Sequence, residues 1–313
     1  MPAVRRRPWA LRRTARLAIL EGGRGMEHTF RKTNIMYLPA LALFLVFVVY
    51  PFFEGIRIAF TNWNGFSQHF KYVGLTNFSV LAGDRNVRTA LLNTLLYGFG
   101  STFFQQVLGL AYALLLNQEF KGRTVGRTIT YLPVLISAVI MGYMWYFVLQ
   151  YDGALNDVIA LFGGKKVLWL SRAGTAISLI VAINTLQYLG VSMIIYLAGL
   201  QNIPQMYYEA AVLDGAGAWR RFRGVTLPLL YPAILTSVTI NLIGGLKLFD
   251  VIRALTGGGP GYATHSLATL LNATYFGSQR AGYAAAIGVL LFVTIFAFTV
   301  LTQAVSRRKE IQY

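Results

Sequence analysis

Six long apolar runs, at residues 35–53, 91–116, 129–149, 176–200, 232–255 and 283–305, constrain this chain more than any other feature. A helix needs about 20 mostly apolar residues to cross roughly 30 Å of hydrocarbon, and each run meets that length. Lipid offers no partner for free N–H and C=O groups, so each run is expected to be helical throughout. Only 12% of the 313 residues are charged, about half the share of a soluble domain. Pro39, Pro51, Pro133 and Pro232 fall at or near run ends, where a missing N–H costs little. The expected fold class is all-α, a polytopic membrane protein with six transmembrane helices.

The formal net charge of +17 raises nucleic acid as a partner, but the placement of the charge argues against it. A nucleic-acid surface needs a basic stripe on a folded polar domain. Here the basic residues collect in short segments between apolar runs, the positive-inside pattern of a membrane protein. With the N-terminus inside, eighteen of the 28 Lys and Arg fall in cytoplasmic segments and eight outside, while Lys247 and Arg253 lie within the fifth run. Without the first 25 residues the imbalance is eleven to eight. Both termini, and the loop between the fourth and fifth runs, are therefore expected in the cytoplasm. Residues 1–30 read as a basic cytoplasmic arm carrying Arg5, Arg6, Arg7, Arg12, Arg13 and Arg16, suited to anionic lipid. Met26 is an alternative translation start. Residues 31–313 form the transmembrane domain. Neither outside loop, 54–90 or 150–175, is large enough for a folded capture domain, so a solute taken up from outside needs another protein to collect it.

Enzyme chemistry has little to build on. There are no cysteines, and the three histidines, His28, His69 and His265, are scattered, so no thiolate, metal or acid–base constellation is expected. Gly257-Gly258-Gly259-Pro260 lacks the Lys-Ser/Thr ending of a phosphate-binding loop and reads as a turn at the outer mouth of the fifth run.

Residues 203–228 are the polar exception between two apolar runs. Pro204 opens a short helix with Glu209 in its early turns, where a carboxylate suits the positive end of the dipole. Ala210, Ala211 and Gly215 keep one side small, and Gly215 and Gly217 supply a bend beside Asp214. Trp219 and Phe222, three apart, share a face, and Pro228 limits continuation. Such a bent helix presents one acid and two aromatic knobs, as a helix that docks in a groove does. An ordinary amphipathic loop packing on its own bundle is the other reading of these residues taken alone.

The order Glu209-Ala210-Ala211, Asp214-Gly215-Ala216, Trp219, Phe222, Leu227-Pro228 resembles the EAA loop of ABC importer permeases. Leu246-Lys247-Leu248-Phe249-Asp250, Leu255-Thr256 with Gly257-Gly258-Gly259-Pro260, then Thr264, Tyr275, Gly282-Tyr283-Ala284-Ala285-Ala286 and Asn93-Thr94 look like the carbohydrate-uptake branch, similar to maltose and glycerol-3-phosphate importers. The similarity covers about residues 30–310. The extra spans and large outside domain of the maltose-type subunit are missing, so the chain resembles the shorter six-span relatives with the type I importer fold. The resemblance implies a second homologous permease, two ATP-binding subunits that use ATP and Mg, and an extracytoplasmic solute-binding protein. It implies no cofactor on this chain, which lies in the bacterial inner membrane among lipid. Glu209 and Gly215 would couple it to the ATPase.

Polar groups inside spans tend to face a bundle interior or a water path. Asn184 and Gln187 share a helix face with Tyr188 beside them, and Asn241, Lys247 and Asp250 lie in the fifth run. Asn184, Gln187, Tyr188 and Asn241 offer hydrogen bonds and an aromatic face to a sugar. Interhelical hydrogen bonding is the alternative role for each. Lys247 and Asp250 are path candidates that are expected to pair with one another near the outer mouth. Small residues four apart, Gly282 with Ala286 and Ala284 with Gly288, suit close helix packing. An ion-coupled secondary transporter is the competing class, but its intramembrane carboxylates and inverted repeats are not evident.

Overall fold

A computed structural model describes residues 37–307; the basic arm 1–30 and its alternative start lie outside that range. The described residues are helical apart from turns and one isolated antiparallel bridge, Thr61 with Tyr72. The chain divides into two compact units after Arg57. The first is described as most of helix α1 (Tyr37–Ala59), which contains a π turn at Leu45–Val49 and the ion pair Glu54–Arg57.

The second unit is a bundle built on two long helices, α3 (Arg85–Leu116) and α7 (Ala173–Gln201). A short helix, α2 (Thr76–Gly83), precedes α3, and Asp84 caps α3 by accepting from the Asn86 N–H at 2.8 Å. The buried face of α3 includes Ala90, Asn93, Tyr97, Ser101, Gln105, Gly109 and Ala113, the three- and four-residue spacing that keeps side chains on one side. At Gly109 a Cβ would stand 2.5 Å from the Ser192 Cβ, so the small residue lets α3 and α7 approach closely. The seam also holds polar groups. Asn241 donates to the Ser192 hydroxyl at 2.7 Å and Gln106 donates to it at 3.4 Å, while Tyr196 donates to Gln106. Each such bond is worth about 0.6 kcal/mol in a bundle.

Two expected spans are not continuous helices. The third run is α4 (Arg123–Leu135) followed by α5 (Ala138–Val148), bent by 98° at Ile136–Ser137. Pro133 lies inside α4, two residues before its end, and it weakens that last turn by removing one N–H and crowding the carbonyl four residues back. A short helix, α6 (Ala154–Leu161), then leads to α7. The fifth run follows two helices described below and is α10 (Tyr231–Leu246), a break at Lys247–Phe249, and α11 (Asp250–Leu255). Helical continuity fails at both places because unpaired backbone is tolerated at membrane depth where it is buried in protein or lines a cavity. The chain ends in α12 (Leu267–Asn272), a π turn at Ala273–Gly277, and α13 (Ala281–Arg307). Among the described residues four helices are long and apolar enough to span a membrane, or up to six if α4 with α5, and the helix Ala218–Leu229 with α10, each count as one span.

Candidate functional site

Both breaks open on one cavity of 510 Å³, lined by Ala138 beside the first break and Lys247, Leu248, Phe249 and Asp250 at the second. That size falls within the range of small-molecule sites, about 300–1,000 Å³. Asn184, Tyr188 and Asn241 line it too, so five of the six expected path residues come together. Asn184 and Asn241 are 2% and 6% exposed. Gln187 is not on the cavity wall. It is fully buried, and its Nε2 donates at 3.1 Å to the Ile136 carbonyl that the first break frees. Its place is therefore behind the site, holding the break open.

The expected Lys247–Asp250 ion pair does not form among the described residues. Both side chains are exposed. Lys247 follows the last turn of α10 and Asp250 opens α11, so the helix break separates them and each charge complements the dipole of its own half-helix.

Sequence reasoning missed Gln105, a 1% exposed side chain of α3 on the same wall. It also missed how the loop 256–266 holds the second break. Ser266 donates to the Leu248 carbonyl at 2.8 Å. Asn93 donates to the carbonyls of Ala263 and His265 at 2.7 and 3.0 Å, Tyr97 to that of Thr264 at 2.9 Å, and the Leu267 N–H donates to Thr94 at 2.9 Å. Asn93 and Thr94 thus have a physical role: they moor the loop to α3. His265 is buried under this loop with Nδ1 3.0 Å from the Thr269 hydroxyl. Burial, and secondarily the Arg253 charge, hold its pKa below the ordinary value.

The second feature is an arm after α7. Helix α8 (Gln205–Leu213) begins after Pro204 and ends in a Schellman motif. The Ala216 N–H donates to the Ala211 carbonyl and the Gly215 N–H to that of Val212, each at 2.9 Å. Gly215 carries φ +71°, a conformation that glycine adopts without steric penalty. Its need is therefore conformational more than a matter of a small face. Glu209 is the fifth of nine residues, deeper than expected, where the helix dipole contributes little. Helix α9 (Ala218–Leu229) contains a π turn at Phe222–Thr226 and bends by 65° into α10. Trp219 and Phe222 stack with ring centroids 5.5 Å apart, and Tyr208 binds Thr226 at 3.0 Å, joining α8 to α9. Glu209, Ala210, Asp214, Gly215 and Trp219 are exposed, while Ala211 and Phe222 are half-buried. Glu209 has no ion-pair partner among the described residues. Leu213 and Trp219 stand 89% and 69% exposed, a large apolar display for a surface with a free acid.

Residues 105–311 match the family described as binding-protein-dependent transport system inner membrane component. The trehalose/maltose transport system permease protein MalF of Thermococcus litoralis is 35% identical over 274 residues, 87% of this chain and 92% of that one. The multiple sugar-binding transport system permease protein MsmF of Streptococcus mutans is 36% identical over 275 residues, 87% of this chain and 93% of that one. Among solved structures, a bacterial ABC transporter involved in the import of the acidic polysaccharide alginate superposes with a TM-score of 0.78 at 26% identity, covering 91% of this chain and 99% of that one. The arm and the cavity between broken spans thus sit in a multi-pass membrane protein that belongs to the family of binding-protein-dependent transport system inner membrane components, the permeases of ABC transporters.

Proposed function

We infer that this chain is the membrane-spanning permease subunit of an ATP-driven importer of carbohydrates. It pairs with a second homologous permease to enclose the path, and two ATP-binding subunits carry out the hydrolysis with ATP and Mg. An extracytoplasmic solute-binding protein delivers the sugar. The chain itself catalyses no reaction. It lies in the bacterial inner membrane, in contact with lipid, with both termini and the 203–228 arm in the cytoplasm and residues 31–313 forming the transmembrane domain. Similarity to permeases named for trehalose/maltose and multiple sugars supports the cargo class. The ion-coupled alternative finds no support among these relatives.

The observation that carries the coupling role is that Glu209, with no ion-pair partner among the described residues, and Trp219 both stand exposed on an arm that bends directly into the cavity-lining α10. A basic residue of the ATPase pairs with Glu209, Trp219 and Phe222 seat in its groove, and Ala210, Ala211 and the turn at Asp214-Gly215 allow close approach. Closure of the ATPase dimer then pulls α9 and α10, which moves the cavity wall. Asn184, Tyr188, Asn241, Lys247 and Asp250 contact sugar, and Gln187 acts through the break it holds. In proteoliposomes containing all partners, sugar-loaded binding protein is expected to stimulate ATP hydrolysis, and Glu209→Lys to abolish that stimulation. Undiminished stimulation in the variant would refute the coupling role.

A further inference from the structure

We propose that Gln105 supplies a hydroxyl-accepting position at the back of the cavity and sets which sugar hydroxyl the permease reads. The inference rests on the cavity being the sugar path. The Gln105 Nε2 donates to the backbone carbonyl of Asn184 at 3.0 Å. The reverse orientation would press two oxygens together, so this bond fixes the amide and with it the direction of Oε1. That oxygen is buried and has no donor. An unsatisfied buried acceptor is destabilising, a cost that a ligand donor removes.

Among the described residues no donor reaches it. The Asn241 Nδ2 is committed to the Ser192 hydroxyl at 2.7 Å and reaches that of Ser237 at 3.4 Å. The Asp250 carboxylate on the same cavity adds more acceptors and the Lys247 ammonium adds donors. Such a wall selects a ligand whose hydroxyls both donate and accept, and a polyhydroxylated ring is such a ligand. Gln105 Oε1 is closed off in this conformation, so a small parting of α3 from α7 presents it. Recognition and opening are then linked.

The test uses the complete transporter in proteoliposomes, with maltose or trehalose as probe, whichever drives uptake, and the monodeoxy analogues of that sugar. Gln105→Met keeps the side-chain length and removes the acceptor. It is expected to raise KM about tenfold, the worth of one hydrogen bond, with kcat little changed. It should also erase the preference for the parent sugar over one particular monodeoxy analogue. Gln105→Glu, whose neutral carboxyl repeats both the donor and the acceptor, is expected to retain that preference. If Gln105→Met leaves the preference intact while Asn184→Ala and Asn241→Ala raise KM, Gln105 only fills space and the proposal is wrong. If none of the three variants alters uptake, the cavity is not the path and the functional reading falls with it.

Discussion

His265 shows how a single residue outside the spans carries information that a sequence count of three histidines hides. It is 5% exposed, its ring 5.3 Å from that of Tyr262, and a Cβ at Gly258 would strike its ring atoms at 2.1–2.4 Å. Nothing in a sequence distinguishes such a histidine from an exposed one, because its partners Thr269 and Gly258 come together only when the loop closes. Burial favours the neutral ring, so the folded pKa lies below the unfolded value of 6.5. Below 6.5 the unfolded chain then binds the proton first. Stability is therefore full above that pH and declines as pH falls from 6.5 towards the folded pKa. Melting of the detergent-solubilised protein from pH 8 to pH 5 should show this acid-side loss, and His265→Gln, which keeps a partner for Thr269, should lack that component. Identical pH profiles for the two proteins would show that His265 titrates equally in both states.

At the scale of elements, hydrophobic length located the spans that are continuous. It did not find the breaks. Ile136-Ser137 and Lys247-Leu248-Phe249 each bring only one polar residue into an apolar run, and a hydropathy pattern averages over two or three residues. Pro133 marked the first break, and Gly244-Gly245 stood just before the second, yet both also fit a helix near its end. What makes the breaks tolerable is tertiary: Gln187 on the Ile136 carbonyl and Ser266 on that of Leu248, bonds between residues 51 and 18 positions apart. The half-helices beyond the breaks, α5 and α11, also depend on each other. A Cβ at Gly142 on α5 would lie 2.6 Å from the Ala254 Cβ and 3.4 Å from the Val251 Cα on α11. Overpacking of this kind typically costs about 1–3 kcal/mol. Gly142→Leu should lower the melting temperature and reduce uptake sharply while the ATPase subunits still co-purify, since the arm has no part in this seam. Normal uptake in that variant would mean the two half-helices need not touch.

For the molecule as a whole, the arrangement links two sites that the sequence presented separately. The arm bends into α10, α10 ends at Lys247, and the loop after α11 is moored to α3 by Asn93, Thr94 and Tyr97. One end of the fifth span is thus free to be pulled and the other is held, with the cavity between them. Lys247 and Asp250 stand where that difference is absorbed. Their charges have two candidate uses: complementing the ends of α10 and α11, worth about 0.3–1 kcal/mol each, or meeting the cargo. The two uses separate cleanly in experiment. Lys247→Met and Asp250→Asn each remove one charge at similar size. A helix-end role predicts a small fall in melting temperature and an unchanged KM. Contact with sugar hydroxyls predicts a KM raised about tenfold or more, since hydrogen bonds to charged groups contribute roughly 1.5–3 kcal/mol, with ATPase stimulation by the binding protein retained. Because both charges line the cavity, face no ionic partner among the described residues and stand exposed, the second outcome is expected. A KM that stays fixed while the melting temperature drops in both variants would return these residues to the helix ends and leave sugar binding to Asn184, Tyr188 and Asn241.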